Sequence, residues 1–237
     1  MTIKCLLFDV GGSVFDWQTA IVNTLAISSV GQSGRIDRQA FATAWREQSL
    51  KELEEIANET SKWRPFADFI ATSLETTCLN FGLKSVDQTD RDALLSAWSA
   101  MPAWPEVRSS LERLRRLYFV APHTIIGTGP VARSSKAAGL TWDAIVSCDA
   151  LGASKVNKSA YVRCAELLEY DLAEICYVAA HASDLRAAAS LGMKTAYVET
   201  RLEEYGEKPL GTCYVGEFDF NASDYAALAD QMEVLEG

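Results

Sequence analysis

The sequence is short of positive charge, of histidine and of long apolar runs. Its 22 Lys and Arg stand against 32 Asp and Glu, a formal net charge of −10. Such a chain repels phosphate backbones and anionic lipid surfaces unless a local basic patch intervenes, and the sequence carries no such patch. Nucleic acid and membrane are therefore not expected partners. A small anionic substrate requires a few cations acting at short range, and Arg46 and Lys155 are the candidates. No apolar run approaches the ~18 residues of a membrane span. The N-terminal stretch MTIKCLLFDV is too short for the apolar part of a signal peptide and is interrupted at once by Asp9. The six cysteines (Cys5, Cys78, Cys148, Cys164, Cys176, Cys213) are scattered without a CxxC pair, which reads as buried free thiols. A cytoplasmic protein is the expectation. The two histidines, His123 and His181, have no Cys or His partner at ligand spacing, so no metal site and no cofactor are expected.

What is present is a globular composition, 49% apolar and 23% charged, with six prolines and 14 glycines. Residues 3–10 form a short apolar run ending in Gly11-Gly12, which reads as a buried parallel strand followed by a tight turn. Between Trp17 and Met101 the spacing becomes helical, over 18–28, 37–58, 65–81 and 88–98, and Pro102 and Pro105 close the block. Beyond them strand and helix alternate. Helices are expected over 106–116, 130–138, 158–168, 184–191 and 224–235. Strands are expected over 118–126, 144–147, 174–180 and 195–198, with a short one near 213–215. This pattern predicts a doubly wound, Rossmann-like α/β parallel sheet made of residues 1–16 and 103–237, with an all-helical unit inserted at 17–102.

Ligands of such sheets bind beyond the carboxyl ends of the strands. Asp9 lies there, as do Thr124, the loop Ser154-Lys155 and the stretch Ala179-Ala180-His181-Ala182-Ser183-Asp184. Each has an ordinary structural explanation: Asp as a cap, Thr as a strand former, Lys as a solvated surface residue. Their convergence on one edge weakens those explanations.

An Asp, a Ser/Thr, a Lys and a late acid in this order resemble the four motifs of the haloacid dehalogenase superfamily, and the resemblance runs along essentially the whole chain. FDVGGSVFDWQ, Trp45-Arg46, AAGLTWDAIVS and AAHASDLRAAASLGMKTAYV are similar to segments of its 2-haloacid dehalogenase branch. The resemblance implies a helical cap at 17–102, a dimer, Arg46 as halide acceptor and Tyr161 as a further site residue.

The chemistry supports the same branch. Superfamily phosphatases carry a second Asp two residues after the nucleophile and use magnesium, whereas Gly11 stands there and Asp184 is the one obvious late acid. A halide leaves carbon without needing a proton or a metal. The reaction needs an aligned carboxylate, donors for the halide, a clamp for the substrate carboxylate and a water. Asp9 is the expected nucleophile. Ser13, Thr124 and the amides of the Gly11, Gly12 and Ser13 turn are expected to hold substrate or orient Asp9. Lys155 keeps Asp9 ionised, and Asp184 pairs with Lys155 and helps position the water. The substrate expected is a small anionic 2-haloacid.

Four departures bear on this. Ile125 stands where the branch commonly has Asn, which removes a donor; Ala179 and Ala180 replace polar residues; His181 either supplies the missing donor or caps the following helix. Gly11, where an aromatic residue is common, reshapes the pocket. His123 reads as a satisfied interior histidine, and Trp45 and Trp63 as pocket walls. A catalytically weakened carboxylate binder and a magnesium-dependent phosphatase are the alternatives.

Overall fold

The computed structural model describes residues 2–58, 63–83, 86–199 and 216–236. Strand β1 (Cys5–Phe8) is buried at every position, as a strand covered on both faces must be. Its companions are β2 (Phe119–Thr124), β3 (Val146–Ser147), β4 (Ile175–Ala179), β5 (Lys194–Val198) and β6 (Phe220–Ala222). All pair in parallel, in the order β3-β2-β1-β4-β5-β6. The chain builds outward on one side of β1 and then crosses to the other, so the carboxyl end of β1 is the switch point where a doubly wound sheet opens a crevice. At three residues, β6 is too short to show alternation, and the sequence gives no sign of it. The strand expected near 213–215 lies outside the described residues.

Among the described residues, five helices between β1 and Pro102 make up the cap: α1 (Trp17–Ile27), α2 (Ser29–Gln32), α3 (Arg38–Asn58), α4 (Phe66–Asn80) and α5 (Gln88–Ala97). Its interior is aromatic. Trp45 is fully buried, donates through Nε1 to the Ile70 carbonyl and Ser73 Oγ (both 3.1 Å), and meets Trp98 edge-on. Trp98 in turn stacks on Trp17, and one apolar cluster runs from Leu6 and Phe8 in the sheet to Phe41 and Leu74 in the cap. The passages into and out of the cap lie side by side: the Asp16 N–H donates to the Pro102 carbonyl (2.9 Å) and the Trp104 N–H to the Val14 carbonyl (3.1 Å).

The sheet is wrapped by α6 (Val107–Leu114), α7 (Thr128–Ala138), α8 (Cys148–Leu151), α9 (Lys158–Leu168), α10 (Ala182–Ala189) and α11 (Tyr225–Glu236). Among the described residues no helix is long and apolar enough to cross a membrane. The five described cysteines are buried free thiols, and Cys213 lies outside the described residues. Burial pushes the Cys78 thiol up to about 11 and those of Cys5 and Cys148 to about 12, so these sulfurs stay protonated and unreactive.

Candidate active site

Asp9 follows β1 directly, and its N–H donates to the Val178 carbonyl at 2.9 Å, which carries the β1–β4 ladder one residue past the strand. The chain then turns through Gly12 at φ 86°, a conformation open to glycine at little cost. That turn brings Ser13 back under Asp9. Ser13 Oγ donates to Asp9 Oδ2 at 2.6 Å and accepts the Ala180 N–H at 3.0 Å, tying the first strand's end to the fourth's. His181 Nδ1 lies 2.9 Å from the same Oδ2. Lys155 Nζ donates to Asp9 Oδ1 at 2.7 Å and to Asp184 Oδ2 at 2.8 Å, and the Tyr161 hydroxyl donates to Asp184 Oδ1 at 2.9 Å.

Burial works to raise the Asp9 pKa, but the Lys155 charge and the hydrogen bond and charge of His181 outweigh it and hold Asp9 well below the ordinary carboxylate range. For Lys155, burial works to remove the proton, and the Asp184 and Asp9 carboxylates reverse this and push its pKa up. The pair is therefore ionised at neutral pH in a site where Asp9 is 5% and Lys155 8% exposed. An ionised Asp9 only accepts hydrogen bonds, so His181 Nδ1 is the donor in this contact.

A cavity of about 540 Å³ opens above this cluster. The core contributes Asp9, Gly11, Ile125, Lys155, His181 and Asp184, and α3 of the cap contributes Arg46, Leu50, Leu53 and Glu54. Residues 46, 50, 53 and 54 follow helical spacing and so share one face of α3. That periodicity, starting from Arg46, was the available signal for the three residues that sequence reasoning did not single out. Val156, Ser183, Arg186 and Ala187 complete the lining; nothing in the sequence marked them apart from their nearness to Lys155 and Asp184.

No family model matches the chain. It is 25% identical over 215 residues to (S)-2-haloacid dehalogenase 4A of Burkholderia cepacia, covering 88% of this chain and 86% of that protein. It is 26% identical over 216 residues to (S)-2-haloacid dehalogenase 1 of Pseudomonas sp. strain CBS-3, covering 87% and 90%. The crystal structure of a defluorinating L-2-haloacid dehalogenase matches with a TM-score of 0.90 at 26% identity, covering 98% of this chain and 95% of that one. These similarities agree with the resemblance to the haloacid dehalogenase superfamily. Within it, the chain resembles the 2-haloacid dehalogenase branch.

Several superfamily motif residues sit differently from expectation. Thr124 is fully buried and its hydroxyl accepts the Ile126 N–H at 3.0 Å, so it shapes the turn after β2 and does not line the cavity. The Gly12 N–H is committed to the Phe15 carbonyl at 2.8 Å and is not offered to a ligand. Tyr161 is buried behind Asp184 and reaches the site only through it. His181 occupies the N-cap position of α10, but its side chain makes no capping bond and turns to Asp9 instead. Trp45 and Trp63 are not pocket walls. Trp45 is cap interior, and Trp63 Nε1 donates to Asp149 Oδ1 at 3.2 Å. His123 is interior but only half satisfied: Nδ1 meets the Tyr177 hydroxyl at 3.1 Å, while Nε2 is buried without a partner. Burial holds it neutral.

Ligand atoms of Asp9, His181 and Asp184 lie within 4.8 Å of one another. The arrangement fits a resident cation poorly. The Lys155 ammonium already bonds both carboxylates, and a metal would have to enter beside a charge of its own sign.

Proposed function

We propose that this protein hydrolyses the carbon–halogen bond of 2-haloacids through an ester on Asp9, without a metal. The observation that carries the reading is the state of Asp9: ionised, buried, and held by Ser13, Lys155 and His181 at the base of a cavity roofed by a cap arginine. In the first step an Asp9 oxygen attacks C2 and the halide leaves with the bonding electron pair. Arg46 is the cation available to it. In the second, water attacks the Asp9 carboxyl carbon, the C2 oxygen leaves as the hydroxyl of a 2-hydroxyacid, and Asp9 is regenerated. His181, bonded to Asp9 through Nδ1, stands beside the carboxyl that the water attacks and is the residue we assign to handle the water's proton. Asp184 holds Lys155 and Tyr161, which fixes the ammonium rather than the water.

Two features favour this over phosphoryl transfer. Gly11 stands where a phosphatase places its acid, and the Lys155 ammonium already bonds both Asp9 and Asp184. The relatives named above as 2-haloacid dehalogenases support the same choice.

The test is halide release from chloro-, bromo- and fluoroacetate and 2-chloropropionate, with and without chelator, for the parent and Asp9→Asn. Release should survive chelation and fall by at least about 10⁴-fold in Asp9→Asn. In heavy-oxygen water a single turnover should place the label in Asp9; label confined to the product would rule out the ester.

A further inference from the structure

The cavity above Asp9 is larger than a two- or three-carbon acid fills. Its 540 Å³ or so would hold about eighteen waters at about 30 Å³ each. The ionic groups that chemistry at C2 requires are accounted for by Asp9, Lys155, His181, Asp184 and Arg46. Much of the rest is aliphatic and comes from both sides of the crevice: Leu50 and Leu53 from α3, and Ile125, Val156 and Ala187 from the core. Val156 immediately follows the buried Lys155 yet is 50% exposed. An aliphatic side chain left half in solvent beside the reacting groups gains only if something apolar covers it. Two further lining positions carry small residues, Gly11 and Ser183.

We infer that the cavity seats 2-haloacids whose C2 carries an unbranched alkyl chain of several carbons, lying against Leu50, Ile125 and Val156. The inference rests on the dehalogenase reading and extends it from small acids to longer ones. Each methylene fully removed from water tightens binding about fourfold, about 0.8 kcal/mol, so the aliphatic wall sets a slope along a homologous series.

The slope is measurable without chemistry. Calorimetry of the full chain with acetate, butyrate and hexanoate should show hexanoate binding at least about tenfold tighter than acetate, below the limit for four fully buried methylenes. Halide release from bromoacetate, 2-bromobutyrate and 2-bromohexanoate should follow the same order in kcat/KM. In Val156→Ser and in Leu50→Ser the hexanoate-to-acetate ratio should shrink several-fold; the half-exposed Val156 makes the first variant safe for folding. Flat binding with bromoacetate still turned over would overturn the inference and leave the activity standing. A steep series unchanged in both variants would overturn the assigned wall. Rising carboxylate affinity with no halide release from any bromoacid would instead overturn the dehalogenase reading, leaving only a preference for long carboxylates.

Discussion

The floor and the roof of the cavity hold their polar side chains in opposite ways. On the floor, both oxygens of Asp9 and both of Asp184 are bonded, and Lys155 joins the two residues. On the roof, Arg46 forms no ion pair among the described residues, and its guanidinium carbon lies 5.9 Å from the Trp17 ring centroid. The floor is thus set before substrate arrives, which is what a nucleophile needs, because reorganisation at the moment of reaction adds to the barrier. The roof keeps a cation uncommitted for an incoming or departing anion. On the proposed reading the two halves divide the labour: the core fixes reactivity, and the cap fixes what is accepted and released.

The sharpest way to break this division is Lys155→Met. It leaves two buried carboxylates without their shared cation, and breaking a buried pair in this way costs about 3–5 kcal/mol. Turnover should be lost with it. The pH dependence tests the cause. With Lys155 present, Asp9 is depressed and Lys155 raised, so their contribution is complete between about pH 4 and pH 10. It is lost only as pH falls through the depressed value or rises through the raised one. In the variant, burial acts on Asp9 with less opposition and raises its pKa, so stability falls as pH rises from about 4. Urea unfolding at pH 5 and 7.5 should show a wider gap between parent and variant at the higher pH; an equal gap would mean the ammonium acts through packing alone.

Next in size is Arg46→Ala. Removing one donor from a developing anion costs about 10²–10³ in rate, while a partly buried cap residue with no ion pair should leave the unfolding midpoint nearly unchanged. Halide release at the parent's rate would remove Arg46 from the reaction and collapse the distinction between floor and roof.

Much of the floor was legible in the sequence, because residues at strand ends of a doubly wound sheet are brought together by topology alone. Asp9, Lys155 and Asp184 needed only the order of the strands. What the sequence could not show was which way short side chains turn. Thr124 and Ser13 read alike, but Ser13 reaches Asp9 while the Thr124 hydroxyl closes its own turn. His181 could serve the helix or the site, and only the distance to Asp9 decides. The cap was legible as helices and as one arginine; its contribution to the cavity wall needed the rotation of α3, which is set by tertiary packing of Trp45 and Phe41. β6 was missed because its pairing with β5, not its own three residues, makes it a strand.

The smallest predicted effect concerns how roof and floor are joined away from the crossing at residues 14–16 and 102–104. Helix α4 begins after Pro65, which offers its first turn no side-chain acceptor. Asp149 of α8 supplies one from the core: its Oδ1 accepts the Phe66 N–H at 2.9 Å and the Trp63 Nε1–H at 3.2 Å. A carboxylate at a helix N-terminus also meets the positive end of the helix dipole. Asp149→Ala should therefore cost about 1–2 kcal/mol, the usual loss for a missing cap. Asp149→Asn, which keeps an acceptor but not the charge, should recover part of it. Because this tie spans cap and core, Asp149→Ala should also raise KM for a 2-haloacid more than it lowers kcat, since the floor is untouched. An unchanged unfolding midpoint, or a fall in kcat with KM constant, would show that the cap is held over the site by its apolar contacts alone.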